Sequence, residues 1–334
     1  MSAVLVADVG RTTCRVARFA GAHREAEARA HSGASLADAD GAARIAAAVR
    51  RAVTALPAGE AATAVVVGTT GLAQAPAAGR ALADALLVDH PDAEVVLATD
   101  VLTAHLGALA GDPGVCLVAG TGAVALAVPA HGRSRIVDGH GYLLGDDGSG
   151  FAVGRAGLRA ALRHHEGRSG GSAALARAAR VHVGDLGRLA GAVQSDPDAV
   201  RRVAGFAVAV ADAARAGDTT ARAIWADAVA ALADTAAAAC RHVAVDPVPV
   251  GLAGSLFDLD DLVTAPLAAA ITTACPGARP ERARGDALDG ARLLAGHHPG
   301  IDTDRLQADG LLLRFARGET PARHRRRAER EHTS

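Results

Sequence analysis

Residues 114–150 hold the densest set of groups able to do chemistry. An apolar run over 115–118 leads into Gly120-Thr121-Gly122, and a second apolar run over 124–128 follows at once. Two strands joined by Gly-Thr-Gly form a tight hairpin, and glycine puts no Cβ between its backbone N–H groups and an approaching anion. Gly145-Asp146-Asp147-Gly148-Ser149-Gly150 then sets two carboxylates on a loop before a helix-like stretch. A phosphate-sized turn beside a carboxylate loop suggests phosphoryl transfer.

The N-terminus carries a similar device. A buried-strand pattern over 4–8 ends in Asp8, Val9-Gly10-Arg11-Thr12-Thr13 makes a turn, and 14–19 alternates as a returning strand. Gly10 and the amides after it can wrap a phosphate, Thr12 or Thr13 can donate a hydroxyl, and Asp8 can hold hydrated Mg²⁺. An ordinary tight turn containing Asp and Gly has the same spacing, so the motif alone decides nothing. Asp100 stands where a strand over 94–98 gives way to a helix. It is either a helix N-cap or a functional carboxylate, because ligands of open α/β sheets bind at the carboxyl ends of strands, where Asp8 and Gly68 also fall. Gly251, near the end of a strand over 248–252, and Gly254, between that strand and a helix over 258–272, admit either an adenine or ribose contact or a plain strand-to-helix turn.

The elements that must position these groups follow from hydrophobic spacing. A third strand over 25–30, a helix over 40–56, a strand over 63–67 ending in Gly68-Thr69-Thr70-Gly71, a helix over 77–87, the strand over 94–98 and a helix through 110 predict a mixed sheet in an α/β layer. Gly111-Asp112-Pro113-Gly114 marks a boundary, after which 114–137 repeats the opening design. Helices are expected over 151–164, 173–181, 186–193, 199–216, 219–244, 285–295 and 303–315. The stretch 317–334 is rich in Arg and Glu without apolar periodicity and is expected to be a disordered, solvated tail.

Composition narrows the partners. The chain has 334 residues, enough for two cores; half are apolar and only 2% aromatic. A formal net charge of −1 gives no reason to expect nucleic-acid binding by the whole chain. No apolar run approaches ~20 residues without a charge, and no basic segment followed by a long apolar one opens the chain, so a membrane partner is not expected and a cytoplasmic location is. Cys14, Cys116, Cys240 and Cys275 have no C-x-x-C spacing and read as buried thiols.

Taken together these motifs resemble the N-acetylglucosamine kinase-like, BadF/BadG-type ATPases of the actin/hexokinase/Hsp70 superfamily, over roughly residues 3–316. The most specific stretch runs from Gly139-His140-Gly141-Tyr142 through Gly145-Asp146-Asp147-Gly148-Ser149-Gly150, which is similar to the family's G-W-G-x-x-x-G-D-E-G-S-G signature. The resemblance implies an α/β fold of two RNase-H-like domains, each a mixed sheet flanked by helices, around a hinged cleft. One domain would cover 1–112, joined by a C-terminal helix at about 302–316, and the other 113–301. It implies ATP and Mg²⁺ as cofactors: Asp8 (metal, through water), Gly10, Arg11, Thr12 and Thr13 at one phosphate turn, Gly120, Thr121 and Gly122 at the other, and Gly251 and Gly254 near adenosine. It implies Asp100 as catalytic base and Ser35, Thr70, Thr121, His140, Gly141 and Asp146 on the side of a sugar substrate. A homodimer is a further implication.

Departures from the pattern fall on the sugar side. Ser35 stands in a loop where the family commonly has Asn, His140 replaces Trp, and Asp147 replaces Glu. The expected activity is ATP-dependent phosphorylation of N-acetylglucosamine or a related amino sugar. The alternatives are an ATPase activating a CoA-ester dehydratase or reductase, whose relatives share an Fe–S cluster across a dimer, and a non-catalytic sugar- and ATP-binding regulator.

Overall fold

The computed structural model describes residues 3–296 and 298–315; the predicted tail lies outside them. In chain order the elements are β1 (Ala3–Val9), β2 (Thr13–Ala20), β3 (His23–His31), α1 (Gly41–Thr54), β4 (Ala62–Thr69), α2 (Pro76–Asp89), β5 (Glu94–Thr99) and α3 (Asp100–Ala108). Then follow β6 (Gly114–Ala119), β7 (Ala123–Val128), β8 (Arg135–Asp138), α4 (Gly150–His165), α5 (Ala173–Val183), α6 (Leu189–Gln194), α7 (Ala199–Gly205), α8 (Ala207–Arg215) and α9 (Thr219–Cys240). The chain ends with β9 (Val248–Ala253), α10 (Ala265–Ala274), β10 (Ala278–Arg282), α11 (Ala287–Leu293), α12 (Thr303–Ala308) and β11 (Leu312–Phe315).

Two compact units divide this chain. The first runs to Asp112 and resumes at Ala283; the second is Pro113–Arg282. In the first, the sheet order is β11-β5-β4-β1-β2-β3, with β1, β4 and β5 parallel and β2, β3 and β11 antiparallel to their neighbours. The parallel strands are covered on both faces, so their cores are continuous apolar runs: Val65-Val66-Val67 and Val95-Val96-Leu97 are all buried. Leu5, Val65, Val95 and Leu97 pack with Ile45, Val49 and Leu82 of α1 and α2. Helices α3 and α11 pack on β1 and β4. At the open edge, β3 alternates half-buried and exposed residues and carries Arg24, Glu25, Glu27 and Arg29, charges that discourage pairing with another chain.

The second unit repeats the plan. Its order is β10-β9-β6-β7-β8, a meander β6-β7-β8 with β9 parallel to β6 and β10 parallel to β9. Its core joins this sheet to α4, α5 and α7 to α10, around Trp225 and Phe206. Among the described residues α9 alone is long and apolar enough to cross a membrane, and it is a core helix here, with Trp225, Leu232 and Ala236 buried.

Four expectations change. The helix predicted over 303–315 is a short helix followed by a strand: α12 ends before Gly310, at φ +74°, and Leu312–Phe315 pairs with Val95–Ala98 of β5. The return to the first unit begins at Ala283 and not near 302, because α11 packs against α3. The long helix over 199–216 breaks at the buried Phe206, and that over 258–272 begins as a 3₁₀ turn (Ser255–Asp258) and a π turn (Asp260–Thr264).

Helices α3 and α11 touch through glycines. A Cβ on Gly290 would lie on the Thr103 carbonyl and the Gly107 amide, and one on Gly107 would lie on the Asp286 carbonyl. Gly290→Ala is therefore expected to destabilise the protein by about 1–3 kcal/mol through overpacking. A thermal melt checks this; an unchanged midpoint would show that the two helices can separate freely.

Candidate functional site

In the first unit, strand register brings the predicted residues to one sheet end. Asp8 lies beside Gly68, Gly68 beside Ala98, and Thr69 beside Thr99. Asp100 follows immediately. The helix cap is Thr99, whose hydroxyl accepts the Leu102 N–H at 3.3 Å; Asp100 itself is the first residue of α3, and its Oδ1 accepts the Val101 N–H at 2.9 Å. The capping reading therefore passes to Thr99. Burial raises the Asp100 carboxyl to about 6, and the negative charge of Asp8 adds to the rise. A carboxylate in that range is poised to take a proton near neutrality.

Gly68 is required by this packing, since a Cβ there would press on the Thr103 side chain. Thr103 in turn donates its hydroxyl to the Asp100 carbonyl at 2.9 Å. Gly10 donates its N–H to Thr13 O at 3.0 Å, closing the turn that presents Arg11, Thr12 and Thr13 to solvent. Asp8 is half-buried; burial pushes its carboxyl up, while Arg15, opposite it on β2, holds it down through hydrogen bonds of 3.0 and 3.3 Å.

The Ser35–Thr70 corner is closed on itself. Ser35 is buried, its hydroxyl lies 3.4 Å from the Thr70 carbonyl, and Leu36 N–H donates to that same carbonyl at 3.0 Å. Thr70 N–H reaches Val9 O at 3.2 Å, tying the corner to the end of β1. The Ser35 hydroxyl thus serves the loop it sits in.

In the second unit the phosphate-sized hairpin is tied to the start of α4. Gly150 N–H donates to Gly120 O at 2.8 Å and Phe151 N–H to Thr121 O at 3.1 Å, while Ser149 caps Ala152 N–H at 3.2 Å. The first N–H groups of α4 are thereby used inside the protein, and an anion must meet the hairpin itself. Gly254, at φ +111°, approaches so closely that a Cβ would collide with Ala119. Gly251 does not lie at this turn. It is buried inside β9, paired with Cys116 of β6 and Glu281 of β10, so sheet neighbours occupy both its sides. The adenosine expectation is left with Gly254.

Asp146 sits against the hairpin: a Cβ on Gly122 would lie 2.9 Å from its Oδ2. The residue has a φ of +58°, and its carboxyl is raised by burial against hydrogen bonds from the Ala123 and Gly141 amides. Gly120-Thr121-Gly122, Gly141 and Asp146 are thus brought together. His140 is exposed at the start of the same loop. Cys116 is buried in β6, and among the described residues no group of three or more His, Cys, Asp or Glu is arranged to hold a metal directly.

The sequence reading missed Asp138. This last residue of β8 adopts a φ of +60° and accepts the Asp146 N–H at 2.8 Å and the Asp147 N–H at 2.9 Å. One carboxylate therefore fixes the backbone of both loop acids. The available signal was an Asp just before Gly139, which reads as an ordinary strand-ending turn. Asp138→Ala would leave those two amides without an acceptor. It is expected to raise the KM for the acceptor substrate tenfold or more (on the order of 1–3 kcal/mol) with the nucleotide KM little changed. Steady-state kinetics with each substrate varied in turn checks the split.

Among curated proteins no sequence matches the chain. A crystal structure of a protein assigned as an N-acetylglucosamine kinase from Chromobacterium violaceum superposes with a TM-score of 0.68 at 26% identity, covering 89% of this chain and 99% of that one. Its counterpart from Porphyromonas gingivalis gives 0.66 at 18% identity, covering 87% and 97%. A glucokinase of the ROK family from Streptomyces griseus, solved with glucose and AMPPNP, gives 0.54 at 16% identity over 88% and 98%, a likeness of fold. The family model for the BadF/BadG/BcrA/BcrD ATPases matches residues 7–294, and the chain belongs to that family.

Proposed function

We propose that this protein is an ATP-dependent sugar kinase whose acceptor is N-acetylglucosamine or a related amino sugar. The observation that carries the reading is the pair of acids at one sheet end: Asp100, raised by burial to about 6 at the carboxyl end of β5, and Asp8 at the end of β1. A base in that range accepts the proton of a sugar hydroxyl as its oxygen attacks the γ-phosphorus in line. The resemblance to amino-sugar kinases in fold, and to one of them at 26% identity, supports the substrate class.

Roles follow for the remaining residues. The turn from Gly10 to Thr13 and the hairpin Gly120-Thr121-Gly122 offer backbone N–H groups and hydroxyls to the phosphates, and Gly254 leaves room for the nucleoside. Asp146 accepts sugar hydroxyls, and an unpaired carboxylate there would discriminate against deoxy analogues. Gly141 and His140 flank it, and the Ser35–Thr70 corner shapes the acceptor side next to β1. Mg²⁺ fits the acids present: it keeps several waters and takes one or two carboxylates with substrate phosphates rather than an all-protein cage. Asp8 would hold it through water, and when bound it would neutralise phosphate oxygens.

The test is a panel of hexoses and N-acetylhexosamines with Mg·ATP, read by product mass. A gain of one phosphate on an amino sugar supports the reading. Sugar binding without any phosphorylated product across the panel would overturn it in favour of a regulator.

A further inference from the structure

The charged groups beside Asp8 form a connected set that the catalytic roles above do not use. Arg15 spans two acids: Nε and Nη2 reach Asp8 Oδ2 at 3.3 and 3.0 Å, and Nη1 reaches Asp286 Oδ2 at 2.9 Å. Glu27 lies 3.9 Å from Nη1. Asp286 caps α11, accepting the Leu288 and Asp289 N–H groups at 3.0 and 3.1 Å, and Asp289 closes the box by accepting the Asp286 N–H. On its outer side Arg24 holds both acids, at 2.6 Å to Asp286 and 2.8 Å to Asp289. A planar guanidinium clamped by carboxylates at both ends has little rotational freedom, which a lysine could not reproduce.

Such fixing costs conformational entropy in a long side chain, and taking the charges of these half-buried pairs partly out of water offsets much of what their attraction contributes to stability. What it does accomplish is to hold one Asp8 oxygen in place and partly neutralise it. We infer that Arg15, steadied by Asp286, is a positioning residue that orients the Asp8 carboxylate and sets how strongly it draws a hydrated divalent cation. This rests on the kinase reading for its consequence in turnover, but its electrostatic part stands apart from turnover. Arg15 opposes cation binding, because it shares the Asp8 charge. Asp286 weakens that opposition, because it draws the same guanidinium away.

The test uses opposed variants of the full chain, with Mn²⁺ as the probe. Its binding is followed by electron paramagnetic resonance on the protein alone and with a non-hydrolysable ATP analogue. R15M is expected to bind Mn²⁺ several-fold more tightly while kcat falls, with the KM for sugar unchanged. D286N is expected to bind Mn²⁺ more weakly, since Arg15 then attends to Asp8 alone. R15K restores one charge without the fork, so its Mn²⁺ affinity returns towards the parent value and kcat only in part. Should R15M fail to fold, as a melt would show, D286N and R15K decide. Shifts in the same direction, or none, overturn the inference. If the parent protein binds no nucleotide analogue or phosphorylates no sugar, the kinase reading fails, and the Mn²⁺ affinities of the protein alone still test Arg15.

Discussion

Asp100→Asn is expected to lower kcat by about 10²–10⁴-fold while leaving ATP binding intact, the loss typical of removing a positioned general base. The amide keeps the shape and can still meet the Val101 N–H, so the change isolates proton acceptance. In the parent protein kcat/KM for the sugar should fall as pH drops through about 6, where burial has placed this carboxyl, and the residual activity of the variant should lack that limb. Stability should move the other way. The carboxyl of an unfolded Asp ionises near 3.8, well below its value in the folded protein, so the folded state holds the proton more tightly and bears the cost of ionisation above pH 6. Asp100→Asn should therefore melt higher than the parent at pH 7.5, with the difference vanishing below about pH 4. Unchanged turnover would remove Asp100 as the base.

Gly254→Ala carries the second large effect. Two constraints meet there: a φ of +111°, which side chains with a Cβ rarely adopt, and the Ala119 backbone, which already occupies the Cβ position. Relief requires the turn after β9 to move away from the end of β6, and Gly120 with it. Overpacking and strain of about 3 kcal/mol would weaken ATP binding on the order of a hundredfold. Calorimetric titration with a non-hydrolysable analogue measures it, with circular dichroism to establish that the variant folds. Unchanged affinity would mean that this turn does not shape the nucleotide site.

Much of the architecture was legible because its signals are local. The apolar runs that became β1, β4, β5 and β6, and the glycine turns between them, follow from spacing alone, as does the repeat of the meander. The elements misread are those whose partners decide them. Residues 278–282 are Ala-Arg-Pro-Glu-Arg, a polar stretch with a proline that suits only a sheet edge, and β10 is such an edge. Leu311-Leu312-Leu313 with Phe315 suits a helix as well as a strand; pairing with β5 settles it. At the candidate site, residue types singled out Asp8, Asp100, Gly120 to Gly122 and Asp146. Gly251 falls inside the strand as read, where pairing with β6 and β10 on both sides takes it away from the turn, and Ser35 faces inward because Thr70 folds back over it. Asp138, Arg15 and Asp286 act by holding other residues, and a holding contact exists only once the register of β1 with β2 and of β7 with β8 brings distant positions together.

The interrupted course of the first unit bears on synthesis. Its sheet is finished by β11, and its helix α3, which opens with Asp100, is braced by α11, both encoded after the whole of the second unit. As the chain leaves the ribosome, residues 113–282 form a contiguous stretch able to collapse on their own core, while the earlier strands wait with the β5 edge open and one face of α3 bare. That edge is an apolar, unpaired strand for the time needed to translate some two hundred further residues, roughly 10–40 s at the usual elongation rate. Truncation just before Leu312 would make the exposure permanent, and the expected product is aggregation during expression rather than a shortened enzyme.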